Sequence, residues 1–291
     1  MKRICLLLLL IGLLLSGCGS NQPAAMVVAT TLPVYDFTVT LCQGTDITVD
    51  RLISESVSCL HDYSLSVSQV KKVESAQLIV CSGAGLENFL DDLLKDRTVV
   101  DASAGIALLC SSHSHEHDAH EEHHHQDYDA HIWLSPENAC FMARNIAAGL
   151  TAQYPQHTRQ IEDNLSTLLQ ELAQLQRYGD ETLSGLSTRE LITFHDGFAY
   201  FAHSFDLHIL EAVEEESGSE ASARELTHLI TLVREHRLPA IFTEVHGSVS
   251  AAQVISRETD AKQFTLDMVM GDKGYLEAMY DNIDTIKEAL E

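Results

Sequence analysis

The feature that most constrains this chain is an alternation that occurs in two blocks. Short apolar, β-branched runs follow one another with stretches of helical spacing between them. In the first block strands are expected at 26–31, 47–53, 78–81 and 98–100, and helices at 34–41, 67–76 and 86–94. In the second, strands are expected at 191–194, 207–213, 239–243 and 263–266, and helices at 197–205, 221–237, 249–257 and 275–290. Such alternation implies βαβ units around mainly parallel sheets. Between the blocks a helix at 136–154 stops at Pro155. Ile161, Leu165, Leu168, Leu169, Leu172 and Leu175 then recur at spacings of three and four, one apolar stripe on one long helix that ends near Gly179. The expected fold is α/β, with two lobes, each a mainly parallel sheet flanked by helices, joined by one long rigid helix.

The ends and boundaries follow from composition. Lys2 and Arg3 precede an apolar run at 6–15 broken only by Gly12, and Leu15-Ser16-Gly17-Cys18 comes next. This reads as a secretory signal, residues 1–17, because the apolar run falls well short of the roughly 20 residues that span a bilayer. Residues 18–25 are small or polar and suit a flexible tether. The expected division continues as a first lobe at 26–155, a linking helix at 156–184 and a second lobe at 185–291.

Acidic residues number 43 against 18 basic, for a net charge of −25. That excess argues against nucleic acid as a partner, since phosphate binding needs basic patches. Beyond Cys18, the cysteines Cys42, Cys59, Cys81, Cys110 and Cys140 are widely spaced and contain no C-x-x-C pair. Several stand in apolar strings, where cysteine acts as a small buried hydrophobe.

Histidines carry the strongest chemical signal. Within the polar stretch 111–126 lie His113, His115, His117, His120, His123, His124 and His125, with Glu116, Asp118, Glu121 and Glu122 among them. Imidazole suits zinc, copper, nickel and iron, and such tracts read as metal-binding. A solvated polar loop is the plainer alternative. Tight binding needs ligands fixed on a scaffold, and three scattered histidines stand at strand or helix ends. They are His61 in His61-Asp62-Tyr63, His131 in His131-Ile132-Trp133-Leu134-Ser135-Pro136, and His195 in Phe194-His195-Asp196.

Those three motifs, in this order and spacing and with a histidine-rich loop before the second, resemble the zinc-specific solute-binding lipoproteins of ABC importers. The resemblance covers essentially the whole chain from Ala29-Thr30-Thr31 to the last helix. It implies His61, His131 and His195 as metal ligands and a carboxylate or water as the fourth, with Asp267 of Thr265-Leu266-Asp267-Met268 as the candidate carboxylate. It also implies zinc as transported cargo, lipid on Cys18, an extracytoplasmic location, and a monomer that serves a permease and its ATPase. Manganese-binding relatives carry glutamate where this chain has His195, so imidazole there favours zinc. The histidine run becomes an accessory metal-recruiting loop. The chain departs from the family at Cys59-Leu60, at Asp129-Ala130, where the family has Asp-Pro, and at Gly218-Ser219-Glu220-Ala221-Ser222. The string His120-Glu121-Glu122-His123-His124 matches H-E-x-x-H, but it lies inside the polar histidine run and not on a helix of apolar spacing, so it gives no support to a zinc hydrolase. A manganese protein of the same family, a storage protein and an adhesin are the other readings, and Glu244 is a candidate only to support a ligand.

Overall fold

The computed structural model describes residues 26–54, 60, 63–110, 128–213, 221–245 and 247–291. Two four-stranded sheets form the framework. In the first, β1 (Val27–Ala29) pairs in parallel with both β2 (Val49–Arg51) and β3 (Leu78–Cys81). Strand β4 (Val99–Asp101) adds to β3, giving the order β2-β1-β3-β4. Strands β1 and β3 are buried along their whole length, as their continuous apolar sequences require.

The second sheet repeats the plan. Strand β5 (Glu190–Thr193) lies between β6 (His208–Ala212) and β7 (Ala240–Glu244), and β8 (Lys262–Leu266) closes the order β6-β5-β7-β8. All its pairs are parallel as well. In both sheets the chain reverses its direction of travel beside the founding strand. Open α/β sheets bind ligands at that switch point, outside the carboxyl ends of the strands.

Helix α1 (Leu32–Leu41) follows β1, and α2 (Val67–Ser75) starts at a capping box in which Ser66 and Gln69 satisfy each other's backbone N–H. The helix expected at 86–94 is only partly formed. A 3-10 turn (Asn88–Leu90) is followed by a single helical turn, α3 (Asp91–Leu94). The cause is local. Gly83, Ala84 and Gly85 all have positive φ, and Glu87 turns back to accept from the N–H groups of Ser82 and Gly83. A residue bonded to the preceding strand end is not free to begin a regular helix.

Helices α4 (Pro136–Gln153) and α5 (Thr158–Thr182) lie between the sheets in sequence. Ile161, Leu168, Leu172 and Leu175 of α5 are buried and its other faces are polar, which matches the single stripe expected. Gly179 lies where a Cβ would come within 2.1 Å of the Phe205 ring, so glycine lets α5 approach the next element closely. That element is α6 (Ala199–Ser204), and α7 (Ala223–His236), α8 (Ser250–Glu258) and α9 (Tyr275–Leu290) complete the chain. Helix α9 packs on α5 and α1 as well as on β8. One hydrophobic core therefore runs through the first sheet, α5, α6 and α9, and a smaller one lies between the second sheet, α7 and α8. Cys42 and Cys81 are buried, as their apolar settings suggest, and burial pushes the Cys42 thiol up to about 12. Among the described residues no helix is long and apolar enough to cross a membrane.

Candidate metal centre

His131 is placed by a run of anchored neighbours. It precedes the 3-10 turn Ile132–Leu134, whose three side chains are fully buried, and Ser135 then caps α4 by accepting from the Asn138 N–H. Pro136 at the first helical position is set up for that start. The Trp133 indole donates to the Met268 carbonyl at 2.9 Å, and the Tyr275 hydroxyl donates to the Trp133 carbonyl at 2.7 Å. The turn that carries His131 is thus fastened to the segment that follows β8 and to the start of α9.

The ring of His131 is also held directly. Its backbone N–H donates to Asp129 Oδ1 at 2.8 Å, and its Nδ1 lies 2.8 Å from the same oxygen. Asp129 is buried, and an ionised carboxylate only accepts, so Nδ1 carries the proton and Nε2 keeps its lone pair. Tyr200 on α6 donates to the Asp129 carbonyl and fixes the carboxylate's own backbone.

His195 directly follows Phe194 at the carboxyl end of β5, beside the switch point of the second sheet. The Thr193 hydroxyl donates to its carbonyl at 3.0 Å. Its Nε2 lies 3.5 Å from His131 Nε2, and the two rings meet nearly edge to face, with centroids 5.2 Å apart. Two nitrogens on one tetrahedral zinc, each about 2.0–2.1 Å from the metal, would be separated by about 3.3 Å. The observed separation is close to that value. Gly197 makes the approach possible. A Cβ there would stand 2.8 Å from His195 Cδ2, 3.0 Å from His131 Nδ1 and 2.4 Å from Met268 Cε.

Glu244, the last residue of β7, stands behind His195. It is 6% exposed, its Oε2 lies 3.8 Å from His195 Nδ1, and that oxygen has no hydrogen-bond partner. Burial raises its carboxyl to about 7.

Asp267 follows β8. Its N–H donates to Asn282 Oδ1, its carbonyl accepts from Asn282 Nδ2, and its Oδ1 accepts from the Val269 N–H at 2.7 Å. Val269 is fully buried at φ 60, an unusual conformation for a β-branched residue. Asp267 therefore neighbours the pair through Met268, but it does not join His131 and His195 in a group. Among the described residues no three His, Cys, Asp or Glu side chains come together as a metal site. His61 and Cys59 lie outside the described residues, as do Cys18 and the histidine run from His113 to His125.

The supporting residues were harder to read than the two paired histidines. Asp129 stood in the sequence as part of an altered Asp-Pro pair, and its position two residues before a histidine was the usable signal. Nothing in the sequence marked Gly197.

Comparison with known proteins extends these observations. The family model described as "ZnuA: Zinc-uptake complex component A periplasmic" matches residues 27–289. The zinc-binding lipoprotein AdcA of Streptococcus pneumoniae (strain ATCC BAA-255 / R6) is 29% identical over 310 residues. That match takes in all of this chain, which spans only 62% of AdcA's length. A putative metal-binding protein of Treponema pallidum (strain Nichols) is 28% identical, covering 95% of this chain and 92% of its own. Among solved structures, a crystal structure of ZnuA superposes with a TM-score of 0.79 at 27% identity, over 92% of this chain and 100% of that one. A zinc-bound ZnuA lacking residues 138–173 gives 0.77 at 26% identity, over 92% and 98%. With the match running from β1 to the end of α9 and the architecture shared throughout, this chain belongs to the ZnuA family of zinc-uptake components.

Proposed function

We propose that this chain captures zinc outside the cytoplasm and delivers it to the membrane permease of an ABC importer. The observation that carries the proposal is the pair of imidazole nitrogens, His131 Nε2 and His195 Nε2, 3.5 Å apart. They come from two different parts of the fold, the entry to α4 and the carboxyl end of β5. In this reading His61 adds a third imidazole and Asp267 an oxygen, a donor set that suits tetrahedral zinc better than manganese. Membership of a family described as a zinc-uptake component supports the same cargo. The relative called a zinc-binding lipoprotein and the zinc-bound ZnuA structure support it too.

The chain acts by binding rather than by catalysis, and zinc is its cargo. Lipid on Cys18 and the tether to residue 25 hold a monomer at the outer face of the membrane, within reach of the permease and its ATPase. The run from His113 to His125 collects metal loosely and raises its concentration near the cleft between the two lobes, where His131 and His195 would hold it. Each imidazole binds zinc only when deprotonated, so the cleft releases cargo more readily in acid.

Isothermal titration of metal-free protein with zinc tests the assignment. One tight site is expected, lost in His131→Ala and His195→Ala and kept when residues 113–125 are deleted. Loss of the tight site on that deletion, with full binding by His195→Ala, would place the metal in the loop and refute the cleft.

A further inference from the structure

Tyr200 stands between the paired histidines and the point where the histidine run enters the chain. It lies on α6, five residues after His195, and its side chain is buried. Its hydroxyl makes two bonds to the first lobe. It accepts from the Leu109 N–H at 2.9 Å and donates to the Asp129 carbonyl at 3.0 Å. Those two residues also bond to each other, the Asp129 N–H donating to the Leu109 carbonyl at 3.0 Å. Their inner neighbours, Cys110 and Tyr128, form an antiparallel bridge. In sequence, residues 111–127 fill the interval between that bridged pair.

A phenol hydroxyl has one proton to give and lone pairs to accept with, so one group satisfies both ends of the insertion. Closing a chain on itself costs entropy that grows with the length enclosed, and this stretch is nearly free of apolar residues that could offset it. What the hydroxyl holds also matters for metal. Asp129 binds His131 Nδ1, and His131 Nε2 lies 3.5 Å from His195 Nε2. Tyr200 therefore bonds the segment that carries one histidine to the residue that supports the other. A shift of the Asp129 backbone would move His131 relative to His195.

From this geometry we infer that Tyr200 is the positioning residue that seats His131 against His195 and closes the base of the histidine run, so that the metal site does not depend on the run's length. The inference rests on the proposed zinc site and names what keeps that site separate from the run.

The test measures the affinity of the tight zinc site by competition with a fluorescent chelator. It compares wild type, Tyr200→Phe, His131→Ala and a shortened chain in which an Asn-Gly turn replaces residues 111–127, with and without Tyr200→Phe. A two-residue turn of that kind favours a hairpin by itself. Phenylalanine keeps the buried ring and removes only the hydroxyl. In the full chain Tyr200→Phe should weaken zinc by about 10-fold, the low end for groups behind a metal-binding histidine. The shortened chain should bind zinc as wild type does, and there the same substitution should cost little. In nitrogen-15 NMR of zinc-loaded protein, the His131 Nδ1 proton should exchange with water faster in Tyr200→Phe than in wild type. Should the shortened chain not fold, that exchange in the full chain decides. Unchanged affinity and exchange in full-length Tyr200→Phe, with binding lost in His131→Ala, would overturn this inference and leave the zinc site standing. Equal losses from Tyr200→Phe in the full and shortened chains would show that the hydroxyl does not close the insertion, and would overturn it as well. Unchanged affinity in His131→Ala would overturn the zinc site itself.

Discussion

Asp129 and Glu244 are both buried carboxylates behind an imidazole, yet their circumstances differ. Asp129 Oδ1 takes two hydrogen bonds from His131. Glu244 Oε2 takes none, and burial alone raises its carboxyl from 4.5 to about 7. The folded metal-free protein therefore holds a proton that the unfolded chain releases above pH 4.5. Its stability falls as pH rises from 4.5 to about 7, then stops changing on this account. The shift corresponds to at most about 3 kcal/mol, using roughly 1.4 kcal/mol per unit. Denaturant unfolding without metal should show wild type losing stability relative to Glu244→Gln between pH 5 and 7.5. Parallel pH profiles for the two proteins would contradict it. At this scale the sequence was legible in part. His131 and His195 stood at motif positions beside strand and helix ends. The close fit of Gly197 against two rings arises only when β5, the His131 turn and Met268 converge, and local sequence carries no trace of that.

Elements were more legible than residues, because burial leaves a period. Helix α5 shows why: its stripe could be read from leucine spacing, and Leu168, Leu172 and Leu175 are indeed buried. Helix 86–94 shows the limit. Its spacing looked helical, but the positive-φ turn before it and the bonds to Glu87 belong to the strand end, and they decided the outcome. The packing of α9 onto α1 and α5 was not legible either, since the amphipathic pattern says which face is apolar but not what covers it. Helix α5 should respond to substitution by face. Leu172→Ala removes a fully buried side chain and should cost about 2–5 kcal/mol. Gln174→Ala, on the exposed face, should stay within about 0.5 kcal/mol. Chemical denaturation compares the two, and similar costs would show that the stripe is not what seats the helix.

At the scale of the whole molecule, the two sheets are not independent bodies on a hinge. Helix α9 follows the second sheet in sequence but packs on α1 and α5, with Phe37 and Tyr275 in edge contact at 4.7 Å between ring centroids. Asp36 of α1 also accepts from the Tyr275 N–H at the start of α9. Trp133 ties the turn bearing His131 to Met268 through its indole, and Tyr275 bonds back to Trp133. Wide opening would have to expose this shared core and break these buried bonds, so metal capture should proceed through small tilts and side-chain movement. Zinc binding should then stabilise strongly while changing the shape little. At a free zinc concentration 100 times the dissociation constant, the gain is about 2.7 kcal/mol. For a chain of this size that raises Tm by about 5–10 °C. X-ray scattering on the same samples should show the radius of gyration, about 19 Å for such a chain, contracting by less than about 1 Å. A larger contraction on adding zinc would mean that the shared core parts in the metal-free state, and the picture of a nearly rigid pair of lobes would have to be abandoned.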